Sequence, residues 1–175
     1  MRVPAAKAPL VLDVRELLEH PGVQHPLSFD APVPDLRSGL SCVEGDVHFD
    51  LTVEAIDGGV LVRGTMSGSY VSECRRCLKP VRQTFSYSSS ELYRPPTDVW
   101  EEGYAIEETS IDLEPMVRDT VALGLPENPL CSQDCKGLCG RCGADLNEGF
   151  CGCAVAEEGD IRWSALRELG RDLGQ

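Results

Sequence analysis

Nine cysteines stand in this chain, and eight of them form four close pairs: Cys74/Cys77, Cys131/Cys135, Cys139/Cys142 and Cys151/Cys153. A short clip of this kind sets two thiolates ~3.5 to 4 Å apart and turns the intervening backbone amides toward their charge. Two clips complete a tetrahedral site, so four clips predict two sites, and zinc is the ion that suits four thiolates. In Cys139-Gly140-Arg141-Cys142-Gly143 the glycines stand where a metal-binding knuckle must turn tightly. Spacing leaves three pairings of clips open. We favour Cys74, Cys77, Cys131 and Cys135 around one ion, and Cys139, Cys142, Cys151 and Cys153 around another. The eight residues between Cys142 and Cys151 leave room for a turn through Asn147 and Gly149, so the second site closes locally. The first closes across the chain and stabilises it by constraining a long loop. Zinc held by four cysteines has no open coordination position, which points to scaffolding rather than catalysis. Cys42 is left over and is expected to be a small buried hydrophobe.

Other thiol chemistry fits less well. Cys74-Arg75-Arg76-Cys77 has the spacing of a dithiol oxidoreductase, and its arginines would lower a thiolate pKa. Such a motif opens a helix after a parallel strand, whereas this one lies between strands expected to be antiparallel and is soon followed by Pro80. The cysteine spacing matches neither common ferredoxin run. There is no phosphate loop, dinucleotide fingerprint, nucleophile elbow or zinc-protease helix motif. His20, His25 and His48 lie far in sequence from every clip. We therefore expect no enzymatic activity and no small-molecule substrate.

Sixteen Lys and Arg against 29 Asp and Glu give a net charge of -13, which excludes a non-specific coat on nucleic acid. Between Tyr70 and Arg94 the balance reverses, with Arg75, Arg76, Lys79, Arg82 and Arg94 against Glu73 and Glu91. Arg75, Arg76, Lys79 and Arg82, with Lys136 and Arg141, are candidate contacts for RNA phosphates or a partner, or they offset thiolate charge. Phe85 and Tyr87 could stack on bases, although strand spacing assigns at least one to the core. No apolar run approaches the ~18 to 20 residues of a membrane span. The amino terminus shows no signal-peptide pattern, so we expect a reducing cytoplasm, where paired cysteines hold metal more often than they form disulfides.

The elements that must position the clips are legible in outline. Val47, Phe49, Leu51, Val53 and Ala55 alternate with polar residues as a half-buried strand requires. Asp57-Gly58-Gly59 supplies a turn, a second strand runs from Val60 to about Val71, and a third spans Val81 to Tyr93. The first 40 residues, with six prolines, read as an arm with a short strand and a helical turn between Leu10 and Leu18. Seven acidic residues and no basic one between Asp98 and Glu114 read as an exposed connector over 98–111. Asp112 should cap a helix with Leu113, Met116, Val117 and Val121 as its buried stripe, ending near Gly124 and Pro126. Asp160 should start a last helix through Trp163, Leu166, Leu169 and Leu173. The expected fold is α+β: a curled antiparallel β-sheet with flanking helices and a C-terminal cysteine-rich zinc module. Residues 1–130 would form the main domain, and 131–175 the module with a helix packed on it.

Cys-Arg-Arg-Cys-Leu-Lys-Pro at 74–80, Leu130-Cys131, Cys-Lys-Gly-Leu-Cys-Gly-Arg-Cys-Gly-Ala-Asp-Leu-Asn at 135–147, Cys151-Gly152-Cys153 and Asp160-Ile161-Arg162-Trp163 together resemble the YceD family of bacterial and plastid proteins. The resemblance covers about residues 9 to 170. It implies a role in accumulation of large-subunit ribosomal RNA, hence in ribosome assembly, with precursor ribosomal RNA or a basic large-subunit ribosomal protein as partner. It also implies that the Cys74/Cys77/Cys131/Cys135 site is the common structural one and the second an accessory site, since some members lack the Cys139–Cys153 cluster. Two other classes remain beside this one: a zinc-dependent adaptor whose acidic surface docks a basic client, and a dithiol oxidoreductase at Cys74 and Cys77.

Overall fold

The computed structural model describes residues 10–96 and 103–153. The chain divides into two compact units, Met1–Cys135 and Lys136–Gln175. The division places the clip Cys131/Cys135 in the first unit, with the sheet, and the last four paired cysteines in the second.

The alternating segments of the first unit become three long antiparallel strands, β4 (Ser41–Ile56), β5 (Gly59–Glu73) and β6 (Pro80–Arg94). Every second side chain of β4 from Val47 to Ala55 is buried, and so are Val60, Val62, Met66 and Tyr70 of β5 and Val81, Phe85 and Tyr93 of β6. Each fully buried aliphatic or aromatic side chain contributes roughly 1.5 to 3 kcal/mol, so a slip of one residue, which would turn the whole inner row outward, is heavily disfavoured. The ladder pairs Phe49 with Met66, Val53 with Val62, and Met66 with Tyr87. The sheet curls where its inner face lacks side chains: a Cβ on Gly64 would lie 2.1 Å from the Asp50 carbonyl oxygen. At the far end of β4 the register shifts between Glu44 and His48, a bulge that bends the strand.

The sheet holds eight strands in the order β1 (Val11–Asp13), β8 (Ser110–Asp112), β7 (Tyr104–Glu107), β6, β5, β4, β2 (Gln24–Ala31), with β3 (Arg37–Ser38) on β4. Here the structure corrects two expectations. Residues 10–38 hold the expected short strand and helical turn, β1 and α1 (Arg15–Glu19), but are not merely an arm, for they also supply β2 and β3 to the sheet. Prolines hid this, yet β2 takes an edge position that tolerates Pro26, and Phe29 stacks on Phe49 at 4.9 Å. The described part of the acidic connector is not a loop either. It forms the hairpin β7 (Tyr104–Glu107) and β8 (Ser110–Asp112), which buries Ile106 and Ile111 while leaving Glu107 and Glu108 in water. Because β7 runs parallel to β6, pairing Tyr93 with Tyr104, the sheet is mixed rather than wholly antiparallel.

Helix α2 (Glu114–Gly124) presents Met116, Val117 and Val121 to the core, and Leu113 just before it is also buried. The cap position falls on Leu113, which makes no side-chain cap hydrogen bond, rather than on Asp112 as expected; the Asp112 carboxylate, one residue earlier, accepts a hydrogen bond from the Glu114 N–H at 2.9 Å. Its last residue touches the sheet: the Tyr87 hydroxyl donates to the Gly124 carbonyl at 2.6 Å, and a Cβ on Gly124 would strike the Tyr87 ring. Among the described residues, only α1 and α2 accompany this sheet as helices. The expected helix after Asp160 lies outside the described residues, as do 97–102 of the connector.

Candidate metal centres

The β5–β6 connection carries the first clip. Cys74 N–H donates to the Lys79 carbonyl at 2.8 Å, and Leu78 N–H to the Cys74 carbonyl at 2.8 Å. This tight turn needs a left-handed residue after its second cysteine, and Leu78 takes it at φ 59°. The second clip follows α2 and is brought to the first by polar groups. Buried Ser41 donates from its hydroxyl to the Ser72 hydroxyl and the Pro126 carbonyl, both at 3.2 Å, and Ser72 donates to the Leu40 carbonyl at 2.9 Å. Arg75 N–H meets the Pro129 carbonyl at 2.9 Å. The Arg76 guanidinium then donates to the carbonyls of Cys135, at 2.8 Å, and Gln133, at 3.4 Å, tying the two clips together.

The four sulfurs of Cys74, Cys77, Cys131 and Cys135 lie within 4.8 Å of one another. Cys74 and Cys135 are 3.7 Å apart and Cys77 and Cys131 3.5 Å. A tetrahedron with metal–sulfur bonds of ~2.3 Å has edges of ~3.8 Å, so these spacings fit one four-coordinate ion. An iron–sulfur cluster would interpose its own irons and sulfides and spread the ligands further. Cys74 is fully buried, and Cys77 and Cys135 nearly so, while Cys131 reaches the surface.

The second unit builds its own cage on a small hairpin, with Leu138 bridged to Asp145 and Leu146 N–H donating to the Gly137 carbonyl at 2.9 Å. Asn147 locks the base: its side-chain oxygen accepts from the Lys136 N–H at 2.7 Å, and its amide donates to Asp145 Oδ1 at 2.7 Å. At the tip, Cys139 N–H donates to the Ala144 carbonyl and Gly143 N–H to the Cys139 carbonyl, at 2.8 and 2.9 Å. This is the hydrogen-bond pattern of the Cys74 turn, with Gly143 at φ 73° in the place of Leu78. Cys139, Cys142, Cys151 and Cys153 have their sulfurs within 4.8 Å of one another, and none of the four is buried.

Electrostatics show what a cation would do in each cage. Burial opposes ionisation of Cys74, but the backbone amides of Cys131, Cys77 and Arg76 outweigh it and bring the thiol down to about 6. In the other cage the amides of Cys142 and Arg141 bring Cys139 down to about 6. One sulfur in each cage is shifted the other way by its neighbours. Cys131 is pushed up to about 12 by the Cys135 and Cys77 sulfurs, and Cys153 to about 12 by those of Cys142 and Cys151. Four thiolates so close cannot all ionise unless a metal ion offsets their charge.

The six candidate cationic contacts fare differently. Arg76 is committed to the clip carbonyls, and Arg82 is paired with Glu44. Lys79 is exposed beside the first clip. Arg75, Lys136 and Arg141 are exposed, and among the described residues their side chains have no hydrogen-bond or ion-pair partner. Phe85 and Tyr87 are unavailable to bases: Phe85 is buried, and Tyr87 stacks on it at 5.2 Å while bonding Gly124. Cys42 joins neither cage and is half-buried on β4 rather than buried. His20 meets the Glu16 carbonyl and His48 meets Asp30, and no histidine enters either cysteine group. Sequence reasoning missed Ser41, Ser72 and Leu78. Ser72 was findable as a polar residue on the inward row of β5. Leu78 would have emerged from laying Cys74–Leu78 over Cys139–Gly143.

The chain is 35% identical over 179 aligned residues to an uncharacterized protein of Mycobacterium tuberculosis, covering 93% of this chain and 82% of the relative. A Mycobacterium leprae protein, also uncharacterized, is 36% identical over 151 residues, or 79% of this chain and 68% of the relative. The Arabidopsis thaliana "Large ribosomal RNA subunit accumulation protein YCED homolog 1, chloroplastic" is 37% identical over 65 residues, 37% of this chain and 20% of that one. No solved structure matches. A family model described as "Large ribosomal RNA subunit accumulation protein YceD" matches residues 62–170, a span that holds both cysteine cages, and the chain belongs to the YceD family.

Proposed function

We propose that this chain is a non-catalytic, zinc-binding factor that supports accumulation of large-subunit ribosomal RNA and thereby assembly of the large ribosomal subunit. The observation that carries this reading is the YceD match, whose described function is large ribosomal RNA subunit accumulation and whose span includes all eight paired cysteines. Mononuclear cages of four cysteines are the chemistry of structural zinc, which fills its coordination shell with protein and leaves no position for a substrate. The burial of Cys74 and Cys77 favours a scaffold over dithiol exchange, which needs an accessible thiolate.

The protein works by binding, in the reducing cytoplasm. Its partner is precursor large-subunit RNA, met through the knuckles and their exposed cations, or a basic large-subunit ribosomal protein met through the acidic surface. Depletion in cells tests the function. Large-subunit RNA should fall relative to small-subunit RNA and free large subunits should become scarce. Unchanged RNA and subunit profiles reject the reading. Elemental analysis of protein purified without chelator should find two zinc ions per chain, one for each cage.

A further inference from the structure

The two metal knuckles share one backbone plan, so equivalent positions can be compared within the chain. Arg76 and Arg141 each stand immediately before the second cysteine of a turn closed by the same pair of hydrogen bonds. In the first knuckle that arginine is structural, spent on the carbonyls of Cys135 and Gln133. In the second, Arg141 is exposed, and its guanidinium has no partner among the described residues. Among the described residues, no hydrogen bond or ion pair of the second cage uses it.

Phe150 lies in the other half of that cage, immediately before Cys151, the first cysteine of its clip, and is 83% exposed. Cys142 and Cys151 have their sulfurs within 4.8 Å, so the residues preceding them are held on neighbouring turns of one small scaffold. Phe150 is flanked by Gly149 and Cys151, and a Cβ added at Gly149 or Gly152 would meet nothing within 4 Å. It is also the single exposed large hydrophobic side chain among the described residues of the second unit. Among the described residues no apolar patch surrounds the ring for a protein groove to cover. A nucleobase needs only a ring face, and a guanidinium beside it suits the phosphate.

We propose that Phe150 and Arg141 form a site for an unpaired nucleotide of RNA, the ring stacking on the base and the guanidinium meeting the backbone phosphate. This rests on the RNA form of the function proposed above. The zinc-loaded full chain, titrated into a short single-stranded oligoribonucleotide and into a duplex of the same length, provides the test. Wild type should prefer the single strand. Phe150→Ala should weaken that binding about tenfold, Phe150→Trp should retain it, and Phe150→Leu, apolar without a ring, should behave like the alanine variant. Arg141→Gln should reduce the slope of log affinity against log salt by about 0.7. Metal content equal to wild type shows each variant folded. Wild-type affinity in Phe150→Leu or Phe150→Ala, or an unchanged salt slope in Arg141→Gln, overturns the site while leaving the RNA reading intact. Loss of a client protein from Phe150→Ala complexes with RNA binding unchanged assigns the ring to a protein pocket and overturns it too. A wild type that binds neither RNA removes the RNA reading itself, and the site with it.

Discussion

The cage of Cys74, Cys77, Cys131 and Cys135 joins segments more than fifty residues apart and sinks three of its four ligands out of solvent, whereas the cage of Cys139, Cys142, Cys151 and Cys153 closes within fifteen residues and buries none. Nearly the same knuckle serves both. What differs is the surroundings: Ser41, Ser72 and Arg76 bind the first knuckle to β4, to the segment after α2 and to the facing clip, while the second depends on its own hairpin and Asn147. A long-range cross-link removes more freedom from the unfolded chain than a local one, so the first ion should be part of the fold of the sheet and the second should organise mainly itself.

Removing a ligand should expose that contrast most strongly. Cys135→Ser should lose one metal equivalent and, with it, the cooperative thermal transition of the sheet unit. Cys142→Ser should lose one equivalent while that transition stays where it was. Equal effects on the melt would dissolve the distinction between the cages.

The two arginines sharpen it at lower cost. Arg76→Gln leaves the Cys135 carbonyl without its charged donor and should destabilise the protein by about 1 kcal/mol in denaturant unfolding. Arg141→Gln should leave stability unchanged. A matching loss in both variants would mean that Arg141 is structural as well.

The smallest effect concerns the residue after each knuckle. A leucine in the left-handed region costs roughly 1 to 2 kcal/mol, partly offset by the entropy that glycine loses on folding. Leu78, 59% exposed, recovers little by packing. Leu78→Gly should therefore raise stability by about 0.5 kcal/mol, and Gly143→Leu, into open space at φ 73°, should lower it by about the same amount. A destabilised Leu78→Gly would show that the side chain holds the fold and that strain is not its main energetic consequence.

Legibility followed the range of the interaction. The clips, the strands from Val47 to Tyr93 and the stripe of α2 could be read directly, because each is a short-period pattern carried within a few neighbouring residues. The hairpin of β7 and β8 was hidden by counting charge. Glu107 and Glu108 dominate the composition, while Ile106 and Ile111, which decide burial, are only two residues. β2 was hidden by Pro26, which an interior strand would reject and an edge strand accepts. The parallel pairing of β6 with β7 left no local trace, since a connection of any composition can carry the chain back along the sheet.

Residue spacing alone determined that four clips exist and that one pair can close within a short stretch, because a thiolate pair a few residues apart meets through local backbone geometry. Only the tertiary structure decided which arginine is bound to the facing clip, which cage is buried, and that a leucine stands strained at one knuckle. Those outcomes depend on what the folded sheet brings alongside each turn, and such neighbours lie many tens of residues away in the chain.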